Sequence, residues 1–483
     1  MPLSLLTRTG AVLCALALAN CATNPVTGNP NFVTMSESQE VSAGRSEDQK
    51  VREQYGTYDD AVLQRYVNDI GQRLAKASHR SSLQFQFLVV DSPQVNAFAL
   101  PGGYIYITRG ILAYLNSEAE LAAVLGHEIG HVTARHSVQQ LSAATAANIG
   151  ASVLQIFVPQ IRNSAGDALI STLGGALLSG YGREHELEAD RLGAEYLART
   201  GYDPQAMIKV VGVLKNQEQF DAEVAKAEGR EARAYHGLFA SHPDNDTRLQ
   251  EVVREAAKFT SAENRVSREP FMRRMDHMIF SDSPAQGFVR SNTFYHPDLG
   301  FTLNFPAGWR IQNNAQNVAA ASPEQNALID LRSAGRAEGS PGDVLRKLLK
   351  LGAGSTVSPQ TLGGLQAAVT EATLSGKPTR IAVVFLGKSA YSIGMQTKDA
   401  TAFRQHKTAM EATMNSFHAM TAQERTLAKP LRLRVITAQP GQTFAALARS
   451  SPLGRFAENH LRVINGLYPS GEPVAGQSLK IVE

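Results

Sequence analysis

Residues 127–131 read His-Glu-Ile-Gly-His. Two histidines four apart on a helix share one face, so their imidazole nitrogens can converge on a single ion. Glu128 sits one residue on and can reach a water beside that ion. Two ring nitrogens and one carboxylate oxygen suit zinc, with a fourth position left open for water. Manganese or cobalt would accept a similar set. Bound zinc lowers the pKa of its water to about 7. A carboxylate placed like Glu128 can take that proton and pass it on, which is general-base hydrolysis. The motif is short enough to arise by chance. It therefore needs a third protein ligand, a helical setting and a suitable compartment.

Candidates for the third ligand lie in Glu-His-Glu-Leu-Glu-Ala-Asp, residues 184–190. By residue type alone, Glu184, His185, Glu186, Glu188 and Asp190 all remain open. His136, His185 and His236 are near the motif in sequence only and read as ordinary structural histidines. Trp309, the sole tryptophan, reads as core.

The elements that must position these groups follow from periodicity. Ser117-Glu118-Ala119-Glu120 fits a capping box, so a helix is expected to start near Ser117 and to carry Leu121, Val124, Leu125 and the motif. Residues 51–77 read as a helix, with Leu63, Val67, Ile70 and Leu74 at helical spacing. Residues 81–91 alternate like a strand. Residues 96–110 read strand–turn–strand about Pro101-Gly102-Gly103. Residues 138–182 are apolar and rich in small side chains, but Pro159, Arg162 and Asp167 interrupt them. They read as a packed helical hairpin, with a membrane- or partner-facing surface as the alternative. Gly201 should stop a helix, and Asp203-Pro204 should begin another.

The chain has 483 residues, of which 43% are hydrophobic and 19% charged, with a net charge of +3. That is a globular composition of roughly two to four domains. No basic cluster with interleaved aromatics is present, so nucleic acid is not expected as a partner. Both cysteines, Cys14 and Cys21, precede the folded body, so any metal there must be held by His and carboxylate. Arg8 followed by the apolar run 10–19 reads as an export signal. Leu-Ala-Asn-Cys at 18–21 resembles a bacterial lipoprotein box, with Asn20 as a departure from its pattern. The resemblance implies lipidation at Cys21, and Ala22 after it points to the outer membrane.

Gly-His-Glu-Ile-Gly-His-Val-Thr-Ala-Arg-His at 126–136, followed by Glu186-Leu187-Glu188-Ala189-Asp190, resembles the gluzincin metallopeptidases of the HtpX, BepA and CAAX-prenyl-protease group. The resemblance covers about residues 50–255. It implies Glu186 as the third zinc ligand, beside His127 and His131, with one Zn(2+) per chain. Asp190, one turn on, is then placed to accept the other N–H of a ligand histidine. Ser241-His242-Pro243, followed by Arg248, also resembles the group. His242 is expected either to stabilise the oxyanion or to occupy the open metal position as a latch. Residues 96–110 resemble the group's edge strand, which docks an extended peptide by main-chain hydrogen bonds.

Further on, 294–309 resembles the opening of PsbP-like or MOG-like modules. Residues 382–397 alternate like strands, and 402–417 read as a helix. Residues 431–483 resemble a LysM module, with Pro440-Gly441-Gln442-Thr443 as its opening turn. Gln442 stands where Asp is usual. This unit is expected either to dock on peptidoglycan or to pack on its neighbour without binding glycan.

The expected architecture is α+β and multidomain. A signal peptide (1–20) precedes a lipid-anchored tether (21–50) and a mainly helical zincin-type metallopeptidase domain with a small edge sheet (51–265). A PsbP-like α/β sandwich-like module (285–420) and a small βααβ LysM-like unit (431–483) follow. The expected function is a zinc endopeptidase on the periplasmic face of the bacterial outer membrane. It would hydrolyse misfolded or stalled envelope proteins, with Glu128 as the base. The alternative is a chaperone-like or scaffold assembly factor with a latent zinc site, docking to peptidoglycan or to outer-membrane assembly partners.

Overall fold

The computed structural model describes residues 21–28, 30–33, 35–142, 181–228, 251, 253–313, 316–352 and 355–483. The expected signal peptide, most of the 138–182 segment, His236 and His242 lie outside the described residues. Among the described residues, no helix is long and apolar enough to cross a membrane. The chain divides into two compact units: residues 1–52, 57–280 and 432–483 form one, and 53–56 with 281–431 form the other.

The first unit opens with a short antiparallel pair, β1 (Cys21–Thr23) and β2 (Pro30–Phe32). Helix α1 (Glu37–Tyr55) follows. Much of the expected tether is therefore ordered helix, because Glu40 in it is 1% exposed and has buried partners. Glu40 accepts from Arg80 (2.9 Å) and Arg135 (3.1 Å) and from the backbone N–H of Gly102 (3.3 Å). The single helix expected over 51–77 is broken. Gly56 takes φ +70°, and Asp60 caps α2 (Ala61–Lys76) by accepting from the N–H groups of Val62 and Leu63.

Strands β3 (Gln86–Val90), β4 (Ala97–Leu100) and β5 (Tyr104–Thr108) form a sheet in the order β3-β5-β4, with Gly102 and Gly103 at positive φ in the turn. After α3 (Arg109–Tyr114), the motif-bearing helix α4 spans Glu118–Thr133. Every residue of α4 is buried, so it is the central rod of the unit rather than a surface helix. Its start differs in detail from a simple capping box. Ser117 accepts from the Glu120 N–H, while the Glu120 carboxylate accepts from the Asn116 N–H (2.7 Å) and the Ser117 hydroxyl (3.2 Å). Helices α5 (Arg183–Arg199) and α6 (Ala206–Ala227) pack against α4, and α7 (Arg268–Met275) touches it as well. Strand β6 (Ile279–Phe280) ends this stretch.

The second unit holds two antiparallel sheets. Strands β7 (Phe288–Arg290), β8 (Thr293–His296) and β9 (Phe301–Asn304) belong to the smaller. The larger, seven-stranded sheet comprises β10 (Arg310–Asn313), β11 (Asn317–Ala321), β12 (Ala327–Arg336), β13 (Ser358–Leu362), β14 (Leu365–Leu374), β15 (Lys377–Leu386) and β16 (Ser389–Thr397). Its order is β10-β11-β12-β16-β15-β14-β13. Helix α8 (Pro341–Leu349) lies between β12 and β13 in sequence. Helix α9 (Ala400–Ser416) follows the sheet. Alternate residues of β15 serve opposite faces, as strand geometry requires. Ala382 and Val384 join Ile393, Met410, Met414 and Phe417, whereas Val383 joins Leu345 of α8. Trp309 packs on the former core, edge-on to His406.

The C-terminal residues return to the first unit. After β17 (His418–Ala419) and α10 (Ala422–Leu427), strand β18 (Leu431–Thr437), helices α11 (Phe444–Ala448) and α12 (Ala457–Ile464), and strand β19 (Ser478–Val482) run in βααβ order. They do not stand as a separate body. The sheet order is β19-β18-β6, and Leu433 exchanges backbone hydrogen bonds with His277 and Met278. Lys480 is fully buried, and its ammonium donates to the carbonyls of Ala113 (2.7 Å) and Leu115 (2.6 Å). Burial pushes Lys480 down and Glu120 up from their ordinary ranges, and each charge opposes the other's shift. The C-terminal strand thus braces the start of the motif helix.

His460 of α12 sits in the same seam. Tyr114 lies 3.0 Å away, oxygen to Nε2, and the rings of Phe220 and Phe280 pack beside it. Burial pulls His460 down to about 4. In the unfolded chain it titrates near 6.5. Its contribution is therefore full above about pH 6.5 and is lost as the pH falls toward about 4. His460→Phe is expected to remove about 2–3 kcal/mol of the acid-dependent loss between pH 7 and 4.5. Urea unfolding at both pH values checks this, and identical pH dependence in the two proteins would refute it.

Candidate metal centre

The site is built where α4 and α5 meet backbone to backbone. A Cβ placed on Gly126 would lie 3.3 Å from Gly193 Cα, and one on Gly130 would lie 3.0 Å from the Ala189 carbonyl oxygen. Small residues at this crossing let Glu186 reach the histidine pair on the facing helix. Gly130→Val is expected to cost about 1–3 kcal/mol by overpacking and to weaken metal binding, because the helices must part. Thermal unfolding and metal titration of the variant check both effects.

His127 and His131 direct their Nε2 atoms at one point, 3.0 Å apart. The Glu186 carboxylate faces both: Oε2 lies 3.6 Å from His127 Nε2, and Oε1 lies 3.5 Å from His131 Nε2. One donor atom from each residue falls within 4.8 Å of the others. All three side chains are buried, Glu186 completely. Two imidazoles and a carboxylate converging in this way fit a zinc-type ion. Among the described residues, this is the one such His/carboxylate group.

Asp190 lies one turn beyond Glu186, and its Oδ1 is 2.8 Å from His127 Nδ1. One helix thus faces both nitrogens of one ring, Glu186 toward Nε2 and Asp190 toward Nδ1. Glu128, adjacent to His127, is fully buried. Tyr181 stacks on His131, with ring centroids 4.0 Å apart, and shares a 2.6 Å hydrogen bond with Ser137. Burial raises the Tyr181 phenol well above its ordinary pKa, so it stays protonated.

Of the five carboxylate and histidine candidates on α5, Glu186 enters the cluster and Asp190 backs it. Glu184 is exposed. His185 and Glu188 pack instead around His136. His136 is not the bystander expected from sequence: its Nδ1 lies 2.8 Å from His131 Nδ1, and its Nε2 lies 3.2 Å from Glu188 Oε2. On a continuous helix His131 and His136 would point about 140° apart. The helix ends first, because Arg135 adopts φ +61° and turns His136 back onto His131. No periodicity signal could have shown this.

Helix α4 also packs on β4, an edge strand of the small sheet. Residues 61–256 match the family model described as Peptidase family M48. The beta-barrel assembly-enhancing protease of Yersinia pestis is 31% identical over 240 residues, covering 48% of this chain and 47% of that protein. The mitochondrial metalloendopeptidase OMA1 of Schizosaccharomyces pombe is 29% identical over 234 residues, covering 47% and 64%. A solution structure of cyanobacterial PsbP from Synechocystis sp. PCC 6803 is 11% identical, covers 28% of this chain and 95% of that one, and has a TM-score of 0.21, too low to carry an argument. The chain spans about half the length of the beta-barrel assembly-enhancing proteases it matches. Residues 61–256 are therefore a Peptidase family M48 domain, of the HtpX- and BepA-like metallopeptidase kind.

Proposed function

We propose that this chain is a zinc endopeptidase that cleaves misassembled proteins of the bacterial envelope. The observation that carries the reading is the convergence of His127, His131 and Glu186, with Glu128 buried beside them. Those three residues would hold the zinc, which when bound supplies Lewis-acid polarisation and an acidified water. Glu128 takes the proton of the attacking water on its carboxylate and delivers it to the leaving amine nitrogen. Asp190 accepts the His127 Nδ1–H and so fixes the tautomer that leaves Nε2 free as a ligand. The edge of β4 docks an extended peptide by main-chain hydrogen bonds. His242 stabilises developing negative charge or latches the site, and the activity of His242→Ala separates the two: a fall marks the former, a rise the latter.

The proposed setting is the periplasmic face of the outer membrane, with the chain lipid-anchored at Cys21. The similarity to beta-barrel assembly-enhancing proteases supports it. The 281–431 unit is proposed to position substrates or partners. For the C-terminal unit, the buried Lys480 and the strand pairing with β6 favour bracing over glycan docking. The test is zinc content and caseinolysis of the form lacking residues 1–21, with and without a chelator. One zinc per chain and chelator-sensitive cleavage support the enzyme. Bound zinc without cleavage of any unfolded substrate moves the reading to an assembly factor, and absence of zinc removes both.

A further inference from the structure

The two histidines of the cluster are backed differently. His127 leans on a carboxylate, Asp190. His131 leans on another imidazole: its Nδ1 lies 2.8 Å from His136 Nδ1. His136 is fully buried, and its far nitrogen lies 3.2 Å from Glu188. His185 stacks on the His136 ring, with centroids 4.2 Å apart and planes 20° from parallel, and so holds its plane.

Resting on the zinc reading above, we propose that His136 and Glu188 are positioning residues for the metal ligand His131, as a three-member chain Glu188–His136–His131. Proton placement follows from the end groups. Glu188 Oε2 lies 3.2 Å from His136 Nε2, and a carboxylate oxygen at that place accepts. His136 therefore carries its proton on Nε2 and donates it to Glu188, which leaves Nδ1 as an acceptor. His131 then carries its proton on Nδ1, donates it to His136, and presents an unprotonated Nε2 to the ion. The chain fixes one tautomer and one ring orientation for His131 and raises the basicity of the ligating nitrogen. An imidazole thus backs His131 where a carboxylate backs His127, so the two ligands are tuned separately. The αL turn at Arg135 is what makes the chain possible.

The test uses the full chain lacking only residues 1–21, with His136→Phe, which keeps a ring and removes the acceptor, and Glu188→Ala at a half-buried position. The zinc dissociation constant is measured by competition with a chromophoric chelator. It is read beside the visible spectrum of the cobalt-substituted protein and the melting point of the metal-free form. His136→Phe is expected to weaken zinc binding about 10–100-fold and to shift the cobalt bands, and Glu188→Ala to weaken it less, in the same direction. Wild-type zinc affinity and an unchanged cobalt spectrum in both variants would overturn the proposal while leaving the metal reading intact. A lowered melting point with unchanged affinity would likewise overturn it, as the mark of a merely structural role. A wild-type protein that binds no zinc would instead overturn the metal reading itself, and this proposal with it.

Discussion

Glu128→Gln is expected to lower kcat/KM for peptide hydrolysis by about 10²–10⁴-fold, the range that a positioned general base contributes, while zinc stays bound. The substitution is nearly isosteric. It changes none of the three converging donors, His127, His131 and Glu186. What it removes is basicity: a carboxamide cannot take a proton from water. Because Glu128 is fully buried, a neutral replacement also avoids leaving a charge without its setting. Steady-state hydrolysis of an unfolded protein, with zinc content measured on the same sample, reads both quantities. Retained zinc with full activity would show that Glu128 is not the base. An envelope function that survives the change fully would support the assembly-factor reading instead.

A second large effect is expected far from the ion. Glu40→Ala should destabilise the first unit by about 3–5 kcal/mol, because it strips the buried carboxylate from two buried guanidinium groups and leaves Arg80 only the exposed Glu37, 2.8 Å away, as an ion partner. Arg80 is 5% exposed and Arg135 8%, and both donate to Glu40. The loss spreads to the site through other bonds of the same groups. Arg80 also donates to the Val132 carbonyl (3.0 Å) at the end of the motif helix, and the Gly102 N–H bonds Glu40 from the turn between β4 and β5. Arg135 itself donates to the Met35 carbonyl (2.7 Å), just before α1. A drop in melting temperature of about 10 °C or more is the expected readout. Glu40→Gln, which keeps an acceptor, should lose less. A change below about 1 kcal/mol in Glu40→Ala would mean that α1 is a dispensable tether after all.

Much of the site's chemistry was readable along the chain, because it is local. Residue types and a spacing of four place His127 and His131 on one face of any helix that forms. Ser117 and Glu120 then mark where that helix begins. Pro101-Gly102-Gly103 marks a turn because Gly102 and Gly103 alone accept its positive φ at no cost. The βααβ order of the last unit was an expectation from its resemblance to a LysM module, not from local signals alone. Spacing could not rank the carboxylates of 184–190, and a family likeness was needed to single out Glu186. Three further points were decided only by chains packed side against side. Backbone contact at Gly126, Gly130 and Gly193 brings Glu186 to the histidines. A helix that stops at Arg135 folds His136 back onto His131. Glu40 and Lys480, charged residues that sequence alone places in solvent, are buried because distant segments complete their hydrogen bonds. Local pattern determines which groups share a face. Which groups share a site is settled by where one helix ends and how closely the next can approach it.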